Sequence, residues 1–511
     1  MSRRAVLRAG VGAAAAGTLV GSATARGSPA TDEFEPLGFV EIEGTTEVAV
    51  SADGETAYVA TRDGFATVDL ADPTGPTVLA ERRDLQADHE DGPLQLMNDV
   101  KVEGDRLVLS GPAFPGPPLQ GMLLYDVTDP GDPVELAFHE TDFPIHNAFV
   151  RDGYVYLTAN DGERRSVVIV DARDDEPVEV AEWALTDHDE RWADVHPDLR
   201  FVHDLWVQDG IAYVAHWDAG TWLVDVSDPT TPETITRFGP HDPEDLAALE
   251  GADVTAEFYA LPGNDHYVTV DEEGAVLALG LEAWAVEEPG ADDEENADLN
   301  GHDHGDGDDH GGGDGNGDDH EHDDGSDDGE SPDDTGDPTA EDGLRGGPGG
   351  VELWDVSDPA SPEKLSAIDP PETPDPTREG VWTTAHNCWF DDGLLYTSWY
   401  EGGVRVHDVS DPTEPVELAA WADPERASFW RAHGAVTGEF FVASSHDFEG
   451  DGFDQGLFTF PDVREADSGT PTAEGTPTET AATARQPGFG LGALAGFGLG
   501  AWWLSRWRRG G

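Results

Sequence analysis

Leu223-Val224-Asp225-Val226-Ser227-Asp228-Pro229, followed by a second proline at Pro232, is the stretch on which the fold turns. It returns as Val404-Arg405-Val406-His407-Asp408-Val409-Ser410-Asp411-Pro412 with Pro415. The apolar, β-branched part reads as a strand. The Asp-Val-Ser-Asp-Pro part reads as a turn, because proline has no N–H for a sheet ladder and Asp and Ser close turns on their own backbone. The second aspartate of the phrase marks a period. It falls at Asp72, Asp129, Asp174 (in degenerate form), Asp228, Asp358 and Asp411, at intervals of 57, 45, 54, 130 and 53 residues. The one long interval contains an acidic insertion at residues 287–345, and removing roughly 60 to 70 residues restores the ordinary spacing. A unit of about 50 residues with four short strands is how a propeller blade reads.

The chain is therefore predicted to be all-β: a seven-bladed β-propeller of four-stranded antiparallel blades over residues 32–463. Its last unit begins at His433 and stops after a third strand, Gly456-Leu457-Phe458-Thr459-Phe460. The missing strand is expected at the other end of the chain, where Glu35-Pro36-Leu37-Gly38-Phe39-Val40-Glu41-Ile42 has the form of the fourth strand that starts at Glu414. Closure by the N-terminal strand leaves the ring without a free edge.

The 511 residues include 27 Lys or Arg against 108 Asp or Glu, a formal net charge of −81. Such a surface repels a phosphate backbone, which excludes nucleic acid as a partner. Only Lys101 and Lys364 are lysines, and acids run through every repeat, so the surface reads as one suited to molar salt, where screening lengths fall to a few Å. Cys388 is the single cysteine; it excludes an internal disulfide and, within an apolar run, reads as a small core residue.

Both ends read as addresses. Residues 1–25 begin Ser2-Arg3-Arg4 and continue through a weakly apolar run to Ala23-Thr24-Ala25, which resembles a twin-arginine signal peptide; Arg3 and Arg4 are its export signal and the twin-arginine translocase its implied partner. Residues 464–486 form a Thr/Pro/Glu-rich stalk too polar to build a core. In residues 487–511, Pro487-Gly488-Phe489 precedes an apolar run and terminal arginines. This resembles the archaeal PGF-CTERM sorting signal, whose members are cleaved near that tripeptide by an archaeosortase-like enzyme and given a lipid. Uncleaved, the same segment reads as a C-terminal membrane anchor. Either way the propeller is expected at the extracellular face of the cell membrane. The repeats themselves, with Val168-Ile169-Val170-Asp171 and its equivalents, resemble the LVIVD repeat family, a resemblance that implies a secreted propeller and no particular activity.

First strands open on polar pairs: Asn98-Asp99, His146-Asn147, His203-Asp204, His386-Asn387 and His433-Gly434. Innermost strands line the axis of a propeller, so these pairs gather at one channel mouth. Second strands end near the same mouth, at Arg62, Asn160, His216-Trp217-Asp218, Trp399-Tyr400 and His446-Asp447. His146, His203, His216, His386, His433 and His446 are thus expected to face one cavity. Three readings fit: a divalent transition metal held by neutral imidazoles, a repeat-encoded hydrogen bond between neighbouring blades, or a polar organic ligand. The insertion carries His302, His304, His310, His320 and His322 among Gly and Asp; it is expected to be disordered and to collect cations weakly. The acidic runs at Asp187–Glu190 and Asp447–Asp454 read as turns rather than calcium loops.

The expected function is a surface-anchored binding or scaffold module for a surface protein or a small ligand. The alternative is an extracytoplasmic metal-dependent enzyme, oxidoreductase-like, with a His-lined site. Propellers of the selenium-binding and methanethiol oxidase kind place histidines around the axis, and this chain is similar in that feature alone.

Overall fold

A computed structural model describes residues 34–162, 165–287, 344–448 and 450–464. The Arg3-Arg4 signal, the five histidines of the insertion, the stalk from residue 465 and Pro487-Gly488-Phe489 lie outside these described residues. Among the described residues no helix is long and apolar enough to cross a membrane.

Seven four-stranded antiparallel sheets make seven blades. Their first strands are Thr45–Val50, Asp99–Glu103, Ile145–Arg151, Asp204–Gln208, Asp265–Val270, Cys388–Asp391 and Phe429–Val436. Each packs against the first strands of its two neighbours, and the seventh meets the first, so the ring is closed. Burial follows from this placement. Thr45–Val50, on the axis, is buried at every residue, whereas the outer strand Thr77–Arg83 alternates between exposed and half-buried residues. In six blades the fourth strand meets the third across a β-bulge, as between Leu223 and Val224 or Val406 and His407, which adds the strong twist a blade needs.

The repeat phrase works as two successive side-chain turns. Asp225 Oδ1 accepts from the Ser227 amide and hydroxyl at 2.9 and 2.7 Å, and Asp228 Oδ1 does the same for Thr230 at 3.1 and 2.7 Å. Asp408 with Ser410 and Asp411 with Thr413 repeat the pattern. Each carboxylate accepts two hydrogen bonds, and its pKa lies below the ordinary aspartate value for that reason.

The last blade is closed by the N-terminal strand. Gly38–Glu41 pairs antiparallel with Gly456–Pro461, Phe39 opposite Phe458, and these two rings lie 4.5 Å apart. Phe34 and Ile42, at the two ends of this closure, are buried. The insertion leaves blade 5 between its second and third strands, on a short ribbon in which Ala285–Glu287 pairs with Leu344–Gly346. Cys388 is buried, and burial pushes its thiol up to about 12, so it is core. Asp447 Oδ1 and Oδ2 accept three backbone N–H groups of its own loop, those of Gly450, Asp451 and Gly452, which makes that segment a turn.

Candidate functional site at the channel mouth

Aligning the first strands on their buried core residue defines the channel layer by layer. The mouth layer is Thr46, Asn98, His146, His203, His266, His386 and Trp430. Four consecutive blades, the third to the sixth, thus each deliver one imidazole to the same level. The layer beneath is Glu47, Asp99, Asn147, Asp204, Tyr267, Asn387 and Arg431. It stitches blades together: Asn147 Nδ2 donates to the His203 carbonyl at 2.9 Å, Asp99 Oδ2 accepts from the Ala148 amide at 2.7 Å, and Asn387 Nδ2 donates to Glu47 Oε2 at 2.7 Å. Arg431 makes a buried ion pair with Glu47. Two positions further along the strands, Phe149, Trp206, Trp389 and His433 lie ring against ring at 4.9, 5.5 and 3.9 Å, the middle contact edge-to-face and the last stacked, and form an aromatic floor.

Above that layer the mouth opens into a cavity of about 310 Å³. Of the six histidines expected there, His146, His203, His386 and His446 line it; His216 and His433 do not. His216 is buried against Trp183, because the following residue, Trp217, takes a left-handed φ of 49° and turns its own side chain to the cavity. His433 lies in the floor, where Nδ1 faces the Gly434 carbonyl at 2.5 Å and the ring stacks on Trp389. Asn160 clamps the next blade, donating to the Val202 carbonyl at 2.9 Å and accepting from its amide at 3.1 Å. Arg62 and Tyr400 line the cavity as expected.

Sequence reasoning missed His266 and Glu282. His266 stacks on His203 at 3.8 Å and lies 4.5 Å from the His386 ring. Together, one ligand atom from each of His203, His266 and Glu282 falls within 4.8 Å of the others. The signal was Asp265-His266-Tyr267-Val268, with the histidine two residues before the core Val268. A bulge between Asp265 and Tyr267 moves it to ring level, and the insertion broke the period at that blade.

The protonation of the cluster follows from geometry. His146 Nδ1 faces the Ala113 carbonyl at 3.1 Å and His386 Nδ1 faces the Trp430 carbonyl at 2.5 Å. A carbonyl only accepts, so in both rings Nδ1 carries the proton and Nε2 is left with its lone pair. His146 Nε2 lies 2.9 Å from His203 Nε2. Burial holds every one of these imidazoles neutral: His146 falls to about 4, His446 to about 3, and His203, His266 and His386 well below the ordinary value. Glu282 lies opposite. Its Oε2 is 3.6 Å from His266 Nε2, the Tyr400 hydroxyl donates to its Oε1, and burial raises its pKa to about 7.

These residues fit a transition metal. One donor atom from each of His203, His266 and Glu282 lies within 4.8 Å of the others, whereas the 2.9 Å between His146 and His203 Nε2 is a hydrogen-bond distance, shorter than the roughly 3.4 Å between ligands of a tetrahedral ion. The carbonyls behind His146 and His386 fix tautomer and ring orientation in the way that supports a ligating imidazole. Nδ1 of His203 and of His266 is buried without a hydrogen-bond partner, so the cluster is not a self-satisfied polar network. Neutral imidazoles with one carboxylate suit zinc, iron or copper.

The sequence pattern of the LVIVD repeat matches residues 45–81 and 200–238, which places recognised repeats in blades 1 and 4. No curated protein matches the chain as a relative. Among solved structures, the chain is similar to the β-propeller domain of Swd1 from Myceliophteria thermophila, at 9% identity and a TM-score of 0.48, covering 84% of this chain and 98% of that one. It is also similar to the periplasmic gluconolactonase PpgL of Pseudomonas aeruginosa, at 9% identity and a TM-score of 0.45, covering 76% and 90%. A functionally unknown protein from Desulfotomaculum acetoxidans matches at 9% identity and 0.42, covering 74% and 85%.

Proposed function

We propose that this chain is an exported propeller, held at the outer face of the cell membrane through its C-terminal segment, that acts on a small organic molecule at a transition-metal centre in its channel mouth. The ligand set is His203, His266 and Glu282, whose donor atoms lie within 4.8 Å of one another, with His146 and His386 flanking them. The observation that carries this reading is the convergence of His203, His266 and Glu282, one donor atom of each within 4.8 Å of the others, with the His146 and His386 rings at the same level on either side. A metal here supplies Lewis-acid or one-electron chemistry. The chain's own residues do the rest. The aromatic walls exclude water from one side of a bound molecule, and the Tyr400 hydroxyl, donating to Glu282 Oε1, orients that carboxylate toward the imidazoles. A cavity of about 310 Å³ takes a small molecule rather than a polymer. The twin-arginine stretch, the stalk and the Pro487-Gly488-Phe489 segment support the location, and the acidic excess supports a salt-adapted, archaeal source.

The second reading is a metal-free binding module in which His146 and His203 share a hydrogen bond. His446, whose Nε2 pairs with Ser428 Oγ at 3.2 Å, is a model for such an imidazole within the same cavity. Titration of chelated protein with cobalt(II), followed by visible absorption, separates the two. Saturable ligand-field bands that vanish in His203→Ala and His266→Ala support the metal centre; no bands in the folded wild type supports the module.

A further inference from the structure

Eleven of the sixteen described arginines of this propeller meet carboxylates. Arg82 pairs with Asp132, Arg83 with Asp63, Arg106 with Asp175, and Arg431 with Glu47, as a chain of 108 acids and 27 bases makes easy. Of those without a carboxylate, Arg151 and Arg237 are held by backbone carbonyls, and Arg62 is not. It leaves the second strand of blade 1 at the channel mouth, half-buried and lining the cavity. Among the described residues no carboxylate pairs with it and no side-chain hydrogen bond is made by it; its guanidinium rests on the Phe448 ring at 4.9 Å. Arg378, the other arginine of the cavity, is different: it is held over Tyr259, Trp284 and Trp382 at 4.6, 5.2 and 5.5 Å, and its charge acts on Glu282.

Placement gives Arg62 a direction. The histidines come from blades 3 to 6, which puts the metal ligands on one side of the channel axis, while Arg62 belongs to blade 1 on the other. Between them the walls are apolar, with Phe114, Trp217, Trp430 and Phe448 facing the space. A half-buried guanidinium that lacks an acid, in a protein that has acids to spare, is provision for an anion brought from outside; its planar fork matches a carboxylate. We propose that Arg62 anchors the carboxylate of a small, otherwise apolar molecule whose other end reaches the imidazole cluster across the cavity. The inference rests on the metal-centred reading of the same cavity for the position of that second end.

The test uses full-length protein, metal-loaded and in molar potassium chloride, titrated calorimetrically with benzoate and with benzyl alcohol, its neutral counterpart. Benzoate is expected to bind, and benzyl alcohol to bind about tenfold more weakly or worse, the worth of one hydrogen bond to a charged group. Arg62→Met should weaken benzoate at least about tenfold while leaving benzyl alcohol and metal content unchanged, and Arg62→Lys should restore part of the loss. Equal benzoate affinity in Arg62→Met, equal binding of the two probes, or no benzoate binding overturns the proposal. Repeating the titration after chelation separates the two ideas. Arg62-dependent benzoate binding that persists in protein unable to take up metal supports the anchor and removes the metal reading. Metal uptake without any Arg62 dependence does the reverse.

Discussion

Replacing Arg431 by methionine is expected to be among the most destabilising single changes available in this propeller. The guanidinium is 3% exposed and donates to a Glu47 carboxylate that is 1% exposed. Its flat face lies 5.5 Å from both Tyr267 and Trp389, so methionine leaves the packing roughly filled while the positive charge disappears. Glu47 then keeps one neutral donor, Asn387 Nδ2 at 2.7 Å. Removing one partner of a buried pair costs about 3–5 kcal/mol, chiefly because the other charge is left in a low dielectric. Adding Glu47→Gln removes that charge, and the double variant should regain at least about 2 kcal/mol over Arg431→Met alone. Urea unfolding of all four proteins, at two concentrations of potassium chloride, gives the coupling. Because the pair is dry, its magnitude should change little with salt, unlike that of the exposed Arg82–Asp132 pair. A loss below about 1 kcal/mol in Arg431→Met, or a double variant no better than the single one, would refute the view that this layer is an electrostatically closed girdle beneath the site.

Acid should weaken the metal-free protein through its imidazoles. His146 is neutral in the fold down to about pH 4 but titrates near 6.5 when unfolded, so the unfolded state binds more protons between those values and stability falls as pH drops through that window. At pH 5 this amounts to about 2 kcal/mol, so His146→Gln should lose that much less than wild type between pH 7 and 5 in urea unfolding. Glu282 and Asp204, raised to about 7 and about 8 by burial, act with the opposite sign in both proteins and cancel in the comparison. Deleting residues 34–43 removes the strand opposite Gly456–Pro461 together with buried Phe34 and Ile42, and should cost at least about 3 kcal/mol and promote self-association, read by urea midpoint and light scattering. An unchanged midpoint would mean the ring does not depend on that closure. Thiol labelling of Cys388 should be slow in the native state and fast only after unfolding, since its thiol is buried and pushed up to about 12.

The blade count, the turns and the N-terminal closure were legible because each rests on local chemistry repeated along the chain: Asp225 and Asp228 close their turns within two residues, and Glu35–Ile42 resembles the fourth strand it replaces. The site was half legible. His146, His203 and His386 stand one residue ahead of a polar partner at the same level in their blades, and the sequence shows it. His433 and His216 imitate that pattern but are misplaced by backbone geometry. Blade 7 carries two bulges in Phe429–Val436, which puts Trp430 at ring level and His433 in the floor, and the left-handed Trp217 displaces His216. His266 was hidden by a bulge of the same kind, and Glu282 by the fact that a carboxylate at the end of a second strand has no local signature. Register, not composition, decides which residues reach the cavity, and a one-residue shift turns a side chain to the other face.

The most direct measurement is elemental mass spectrometry on protein purified in high salt, comparing the full chain with a form lacking residues 290–345 and with His203→Ala and His266→Ala. The predicted result is about one transition metal per chain that survives the deletion and is lost in both histidine variants, as expected for a nitrogen-rich site at the channel mouth. Metal absent from the full chain, or lost with the insertion and indifferent to His203 and His266, would contradict a metal centre among the axial histidines.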